Sequence, residues 1–323
     1  MNPALLQVRD LRTYFETRAG TIKAVDGTSF TLERGEILGL VGESGSGKSV
    51  TGFSLIGLLD PPGRIAGGSV VFQGKELVGL PQAAMRKLRG KRIAMIFQDP
   101  AATLNPVLTI GQQMAMAVQA HGGGGDGAAL ALAARSLARV GIPDAATRLN
   151  AYPHEFSGGM RQRVAIAIAL LHEPELIIAD EPTTALDVSI QAQILAEMKT
   201  LAQESGTALI WISHDLAIVS SLAHRVIVLY LGRIVEFGPV ADVLHAPLHP
   251  YTRGLLDSLP AMADPGRKLR QIPGSTPSPL NMTPGCPFAP RCAHADDLCK
   301  SEPPPVGDQR HGAFCHHPLP GAA

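Results

Sequence analysis

The stretch ILGLVGESGSGKS, residues 37–49, limits what this chain can fold into more than any other. Five consecutive apolar residues suit a strand buried on both faces, as in a parallel sheet covered by helices. The sequence GESGSGKS then matches the spacing G-x-x-x-x-G-K-[ST], and KSVTGFSLIGLL after it reads as a helix. Such a turn aims successive backbone N–H groups inward, and glycine permits both the dihedrals and the close approach of an anion. The helix expected near Lys48 adds unpaired N–H donors and about half a positive charge at its first turn. Lys48 supplies a full charge to the β- and γ-phosphates of a nucleotide, and the Ser49 hydroxyl a ligand for Mg²⁺. Gly42, Ser44, Gly45, Gly47, Lys48, Ser49 and Val50 line the expected cradle.

The rest of the chain is organised around that motif. Residues 5–41 carry apolar runs broken by turn signals and read as strands, antiparallel at the start. From residue 157 a helix (GGMRQRVAIAIALL), a strand (LIIAD), a helix (SIQAQILAEMKTLAQES), a strand (ALIWIS), a helix and a strand (RVIVLYL) succeed one another. That alternation is the βαβ pattern of an α/β fold with a mainly parallel sheet. Residues 99–160 break it with short apolar stretches and the helical run AALALAARSLARV. They read as an inserted helical lobe, with the GGGGDG tract at 122–127 as a surface connection. Beyond residue 260 prolines and cysteines accumulate and periodicity fades. The expected division is a nucleotide-binding domain over 1–260 and a small Pro/Cys-rich extension over 261–323.

LIIADEP ends an apolar strand on two carboxylates, and ligands of open α/β sheets gather at the carboxyl ends of strands. Asp180 suits the outer coordination of Mg²⁺. Glu181 suits a group that orients an attacking water or accepts its proton. His214, at the end of LIWISHD, is a candidate for contact with the γ-phosphate.

Composition excludes some partners. Lys and Arg total 28, as do Asp and Glu, so no basic excess favours nucleic acid or an anionic membrane surface. The start, MNPALLQVRD, lacks the charged head and long apolar run of a secretory signal. No apolar run approaches the roughly 18 residues of a spanning helix. A soluble, cytoplasmic protein is expected, whose dealings with a membrane pass through a partner.

Four further strings complete a set. FSGGMRQR, residues 156–163, resembles the signature segment of ABC-type ATPases, FQDP their Q-loop, TTALD their D-loop and SHD their switch histidine. The order along the chain agrees, and the resemblance covers residues 5–320. It implies a P-loop NTPase ABC cassette that hydrolyses ATP, with Mg²⁺ held by Ser49, Gln98 and Asp180, and Glu181, His214 and Gln98 as the catalytic group. Ser157 can cap the helix beginning at Gly158 and leave N–H donors free beside Gly158 and Gly159, a second anion site. In the family that site faces the γ-phosphate bound by a partner cassette, so Ser157, Gly158, Gly159 and the D-loop Asp187 count among the nucleotide contacts. Adenine is expected to rest on an aromatic ring near the first strand, Phe15 by position, with Tyr14 as the alternative.

FQDPAATLNPVLTIGQQ, DEPTTALDVSIQAQIL, HPYTRGLL and IPGSTPSP narrow the branch. They resemble the ATP-binding subunits of dipeptide and oligopeptide importers, a pattern that nickel and glutathione importers largely share. The resemblance implies a peripheral subunit on the cytoplasmic face of the cell membrane. Its partners would be two membrane permease subunits, a second ATPase subunit (a paralogue, or another copy of the chain) and, through the complex, an extracytoplasmic solute-binding protein. A soluble ABC ATPase acting on nucleic acid is the rival reading. The neutral charge balance and the single cassette disfavour it.

All four cysteines, Cys286, Cys292, Cys299 and Cys315, lie in the extension. A reducing compartment disfavours disulfides. Four thiolates in a loop-rich tail with little core of its own suggest a metal that supplies the missing cohesion. Zinc lacks here the short C-x₂₋₄-C spacing common in its sites, and four cysteines also satisfy an iron–sulfur cluster. Resemblance to the tails of dipeptide-importer ATPases implies a [4Fe–4S] cluster, with Zn²⁺ or reduced free thiols as alternatives. His294, His316 and His317 are further candidate ligands. No motif connects the thiols with the phosphate turn.

Overall fold

The computed structural model describes residues 4–183, 186–259, 271–282 and 284–320. Two compact units make up the chain: residues 1–32, 37–78 and 211–323 form the first, and residues 33–36 with 79–210 the second. The expected boundary near residue 260 lies outside the described residues.

The first unit opens with a four-stranded antiparallel sheet ordered Gly20–Leu32, Leu6–Thr17, Gly63–Phe72, Lys75–Glu76. In Leu6–Thr17 the buried side chains are Leu6 and Val8, then Leu11 and Thr13. The change of parity is a bulge at Asp10, whose φ is 47° and across which the register shifts on both sides. The same unit holds the strand Ile37–Val41, apolar and buried at every position as its composition requires. It pairs in parallel with Arg225–Tyr230, which pairs antiparallel with Arg233–Pro239. A Cβ on Gly39 would lie 2.1 Å from Val219 on the helix Leu216–Leu222, so the missing side chain is what lets that helix close on the strand.

The tail extends this sheet. Gly312–Phe314 pairs with the edge of Arg233–Pro239, and Pro305–Gly307 pairs with Gly312–Phe314. Glu236, fully buried in Arg233–Pro239, accepts from the N–H groups of Leu248 and His249 and sits 2.9 Å from His311 Nε2. A buried carboxylate persists only with partners of this kind, and one of them comes from the tail.

In the second unit Ile93–Ile96 and Leu176–Asp180 pair in parallel. The expected helical lobe is present as Pro100–Thr103, Ile110–Gln119, Asp126–Arg139 and Ala145–Arg148. Ile110–Gln119 starts from a capping box between Thr109 and Gln112. Asp126–Arg139 begins inside the glycine tract, so only part of that tract is connection. Its Ala129 and Ala133 are buried, and Ser136 donates to the Ala167 carbonyl of the helix Gly158–Leu170 at 2.8 Å. The strand Ala208–Ser213 carries the chain out of this unit and into the first.

Candidate active site

The phosphate turn is built in the first unit as the sequence anticipates. Gly42, Gly45 and Gly47 have φ of 152°, 79° and 96°, values that only glycine adopts freely. At two of them space is also short, since a Cβ would stand 2.2 Å from the Leu229 carbonyl at Gly42 and 2.2 Å from that of Ala24 at Gly47. Gly47 is the N-cap of the helix Lys48–Leu55 and has no side chain to occupy the first-turn donors. Lys48 is buried, and its ammonium donates to the carbonyls of Gly42 at 2.7 Å and Glu43 at 2.9 Å. Its charge therefore rests inside the turn. Ser44 and Gly45 are exposed at the rim, while Ser49 and Val50 are half-buried on the first helical turn.

Phe15 and His214 also belong to the first unit. Phe15 is half-buried, beside Gly63, where a Cβ would stand 2.6 Å from the ring. Tyr14 is already engaged: its hydroxyl donates to Asp26 at 2.7 Å, and Lys23 lies 5.7 Å from its ring centre. His214 is exposed, held between the strand Ala208–Ser213 and Asp215, which caps the helix Leu216–Leu222.

The second unit brings the carboxylates together with Gln98. Asp180 is buried at the end of Leu176–Asp180. Glu181 has a left-handed φ of 44°, uncommon for a side-chain-bearing residue and a mark of local strain. Its carboxylate accepts from Gln98 Nε2 at 3.3 Å. In the same unit Ser157 caps Gly158–Leu170 by accepting from the Met160 N–H at 3.3 Å. Gly158 faces open space, whereas a Cβ on Gly159 would meet Ile190 at 3.0 Å. Asp187 is exposed at the start of Val188–Ser205 and makes no capping bond. Thr184 and Ala185 of the D-loop string lie outside the described residues.

No disulfide links the four cysteines; Cys286, Cys299 and Cys315 are buried and Cys292 is half-buried. The His294 N–H donates to the Cys292 sulfur at 3.4 Å, while the N–H groups of Ala289 and Ala295 go to the carbonyls of Cys286 and Cys292. Burial, and then the neighbouring thiols, push the Cys315 thiol up to about 11. A cation bound among these sulfurs would reverse that preference. Beside them the structure places Asp296, Cys299 and His317 with ligand atoms within 4.8 Å of one another. Sequence reading included His317 among the candidates and missed Asp296, whose exposed position before a short 3₁₀ turn carries no motif.

The ABC transporter family matches residues 25–184, and the family described as oligopeptide/dipeptide transporter, C-terminal region, matches residues 235–299. The chain is 49% identical over 300 residues to the oligopeptide transport ATP-binding protein OppD of Salmonella typhimurium, covering 93% of this chain and 89% of that one. The chain belongs to the ABC transporter family. Its likeness to the dipeptide transport ATP-binding protein DppD of Escherichia coli is 45% over 321 residues, 99% of this chain and 98% of the other. Among solved structures, a dimeric post-hydrolysis state of the ATP-binding cassette MJ0796 bound to ADP and phosphate is similar, with a TM-score of 0.66 and 27% identity. That likeness covers 73% of this chain and 98% of that one.

Membership makes this chain an ABC ATPase, an ATP-binding subunit of a transporter. The second family's match ends at Cys299 and takes in Cys286 and Cys292. Neither match identifies what the thiols hold.

Proposed function

We propose that this chain is the ATP-hydrolysing subunit that energises import of di- and oligopeptides through an ABC transporter, bound peripherally to the cytoplasmic face of the membrane. One observation carries the reading: likeness to peptide-transport ATP-binding proteins runs through cassette and cysteine tail together, over 99% of the chain in the dipeptide case. No helix among the described residues is long and apolar enough to cross a membrane, and passage of the peptide is assigned to two permease subunits. A solute-binding protein delivers it to them.

Lys48 and the N–H groups from Gly42 to Val50 hold the phosphates. Mg²⁺, held by Ser49, Asp180 and Gln98, would neutralise charge on the transferring phosphoryl group. Glu181 takes the proton of the attacking water, with Gln98 orienting the carboxylate and His214 contacting the γ-phosphate. Phe15 carries the adenine, a role for which it is freer than the hydrogen-bonded Tyr14. Ser157, Gly158, Gly159 and Asp187 serve the nucleotide of a second ATPase subunit. Their support is a capped helix whose cap consumes the Met160 N–H while Gly158 stays open.

Affinity purification of the chain from its own membranes tests this reading. Two permease proteins should co-purify, and phosphate release by the complex should rise when peptide-loaded binding protein is added. Stimulation by nucleic acid, with no permease attached, would overturn it.

For the tail we propose a [4Fe–4S] cluster on Cys286, Cys292, Cys299 and Cys315. Four soft donors in one short tail suit such a group, and the His294 N–H is aimed at the Cys292 sulfur at 3.4 Å. When bound, the cluster would cross-link a tail that has little apolar core. Anaerobically purified protein is expected to be brown and to carry about four irons per chain. Cys299→Ser should be colourless and melt at least about 5 °C lower. Colourless wild-type protein with one zinc per chain would replace the cluster by zinc.

A further inference from the structure

Glu43 is the second residue of the phosphate turn, and its partners come from far along the chain. Arg291 closes a two-pronged ion pair on it, Nη1 to Oε2 at 2.6 Å and Nη2 to Oε1 at 3.1 Å, across 248 residues of sequence. Thr276 adds a hydroxyl to Oε2 at 3.3 Å, and the Glu43 N–H donates to the Tyr251 hydroxyl at 2.9 Å. The turn is thus gripped at one residue by both its backbone and its side chain.

Arg291 is itself fixed on every side. Its Nε donates to the Pro273 carbonyl at 2.9 Å, Nη1 reaches the Tyr230 hydroxyl at 3.3 Å, and the guanidinium lies 5.9 and 6.0 Å from the ring centres of Tyr230 and Phe288. Tyr230, Tyr251 and Phe288 pack on one another with ring centres 4.7–5.3 Å apart. The Arg291 side chain is 5% exposed and that of Glu43 30%, so breaking the pair would leave an uncompensated charge largely out of water. Pairing with Glu43 holds the Arg291 pKa above its ordinary value.

The position of Arg291 gives the pair its meaning. It ends the 3₁₀ turn Ala289–Arg291, directly before Cys292. Ala289, the first residue of that turn, donates its N–H to the Cys286 carbonyl at 3.1 Å, and its own carbonyl accepts from the Cys292 N–H at 3.2 Å. A single turn is therefore tied by its backbone to two of the four cysteines and by its last side chain to the phosphate turn. A glycine-rich turn is conformationally loose, and restraining it in its binding shape removes part of the ordering cost of binding phosphate.

We propose that Arg291 is a positioning residue through which the four-cysteine tail holds the phosphate turn in its nucleotide-binding shape. The inference rests on the nucleotide site assigned above. Nucleotide affinity then depends on the tail, and by linkage bound nucleotide protects the tail to the same degree.

The test uses the full chain as purified. Binding of a fluorescent ATP analogue with Mg²⁺ should weaken about tenfold in Arg291→Gln, with Arg291→Lys intermediate because it keeps the charge but not the fork. Arg291→Gln should add little to the loss already seen in Glu43→Gln, since both remove one pair. A reciprocal measurement needs no substitution: saturating MgADP should slow amide hydrogen exchange across residues 286–299 several-fold in wild type, and not in Glu43→Gln. A folded Arg291→Gln variant that binds within twofold of wild type overturns the proposal, as does amide exchange in the tail that is indifferent to MgADP. Wild-type protein that binds no nucleotide overturns the nucleotide site along with it, and the two failures are thereby told apart.

Discussion

Glu181→Gln should stop ATP turnover while leaving ATP bound. The substitution keeps the shape of the side chain and removes its basicity, so it separates proton transfer from positioning. Glu181 follows the buried strand Leu176–Asp180 and stands at a φ of 44°, a conformation maintained only because its surroundings impose it. Gln98 donates to its carboxylate at 3.3 Å, and a glutamine amide at 181 can still offer its oxygen to that donor. The backbone and the Gln98 contact are therefore expected to survive. What disappears is a base for the attacking water, a contribution worth roughly 10²–10⁴ in rate. Phosphate release at saturating ATP should fall by about 10³-fold, with the dissociation constant for ATP within about threefold of wild type. With hydrolysis blocked, the two-cassette complex should accumulate and be seen by gel filtration in the presence of ATP. Turnover at the wild-type rate would remove Glu181 from its assigned role.

Lys48→Ala should fail one step earlier, at binding. The ammonium is buried and donates to two carbonyls of its own turn, Gly42 and Glu43. Alanine removes those contacts and also the one full positive charge that the turn offers to the β- and γ-phosphates. Hydrogen bonds to charged groups are worth about 1.5–3 kcal/mol each, so losing even one against phosphate weakens ATP binding by about 10- to 100-fold. Equilibrium dialysis with labelled ATP should show that loss, and hydrolysis at millimolar ATP should fall to background. The contrast with Glu181→Gln is diagnostic: one variant holds ATP without cleaving it, and the other does not hold it. Binding within a few-fold of wild type in Lys48→Ala would mean that the phosphates lie elsewhere.

Much of the site was legible because its chemistry is local. Gly42, Gly45 and Gly47 owe their φ angles to a turn only a few residues long, and the apolar run before it must be a buried strand wherever it packs. The cap of Ser157 on the Met160 N–H spans three residues, and the chain reads it out directly. Glu181 beside Gln98 was anticipated from family resemblance and could not have come from spacing, since 83 residues separate them. The tail was the least legible part. Prolines and the loss of periodicity mark where regular structure ends, but they carry no sign of which edge accepts Gly312–Phe314 or of which residue Arg291 meets.

The sequence by itself determined the phosphate turn, the alternation of strand and helix, the acidic end of LIIADEP and the clustering of thiols in the tail. Each depends on dihedral freedom, hydrogen-bond valence or side-chain period within a short window. Only the tertiary structure decided that the tail pairs with the sheet edge, that Asp296 joins Cys299 and His317, and that Arg291 grips Glu43. The physical reason is the range of the interaction. A buried charge must find a counter-charge, but nothing in its neighbours along the chain says where, and the partner is chosen by the packing of the whole unit around Tyr230, Tyr251 and Phe288.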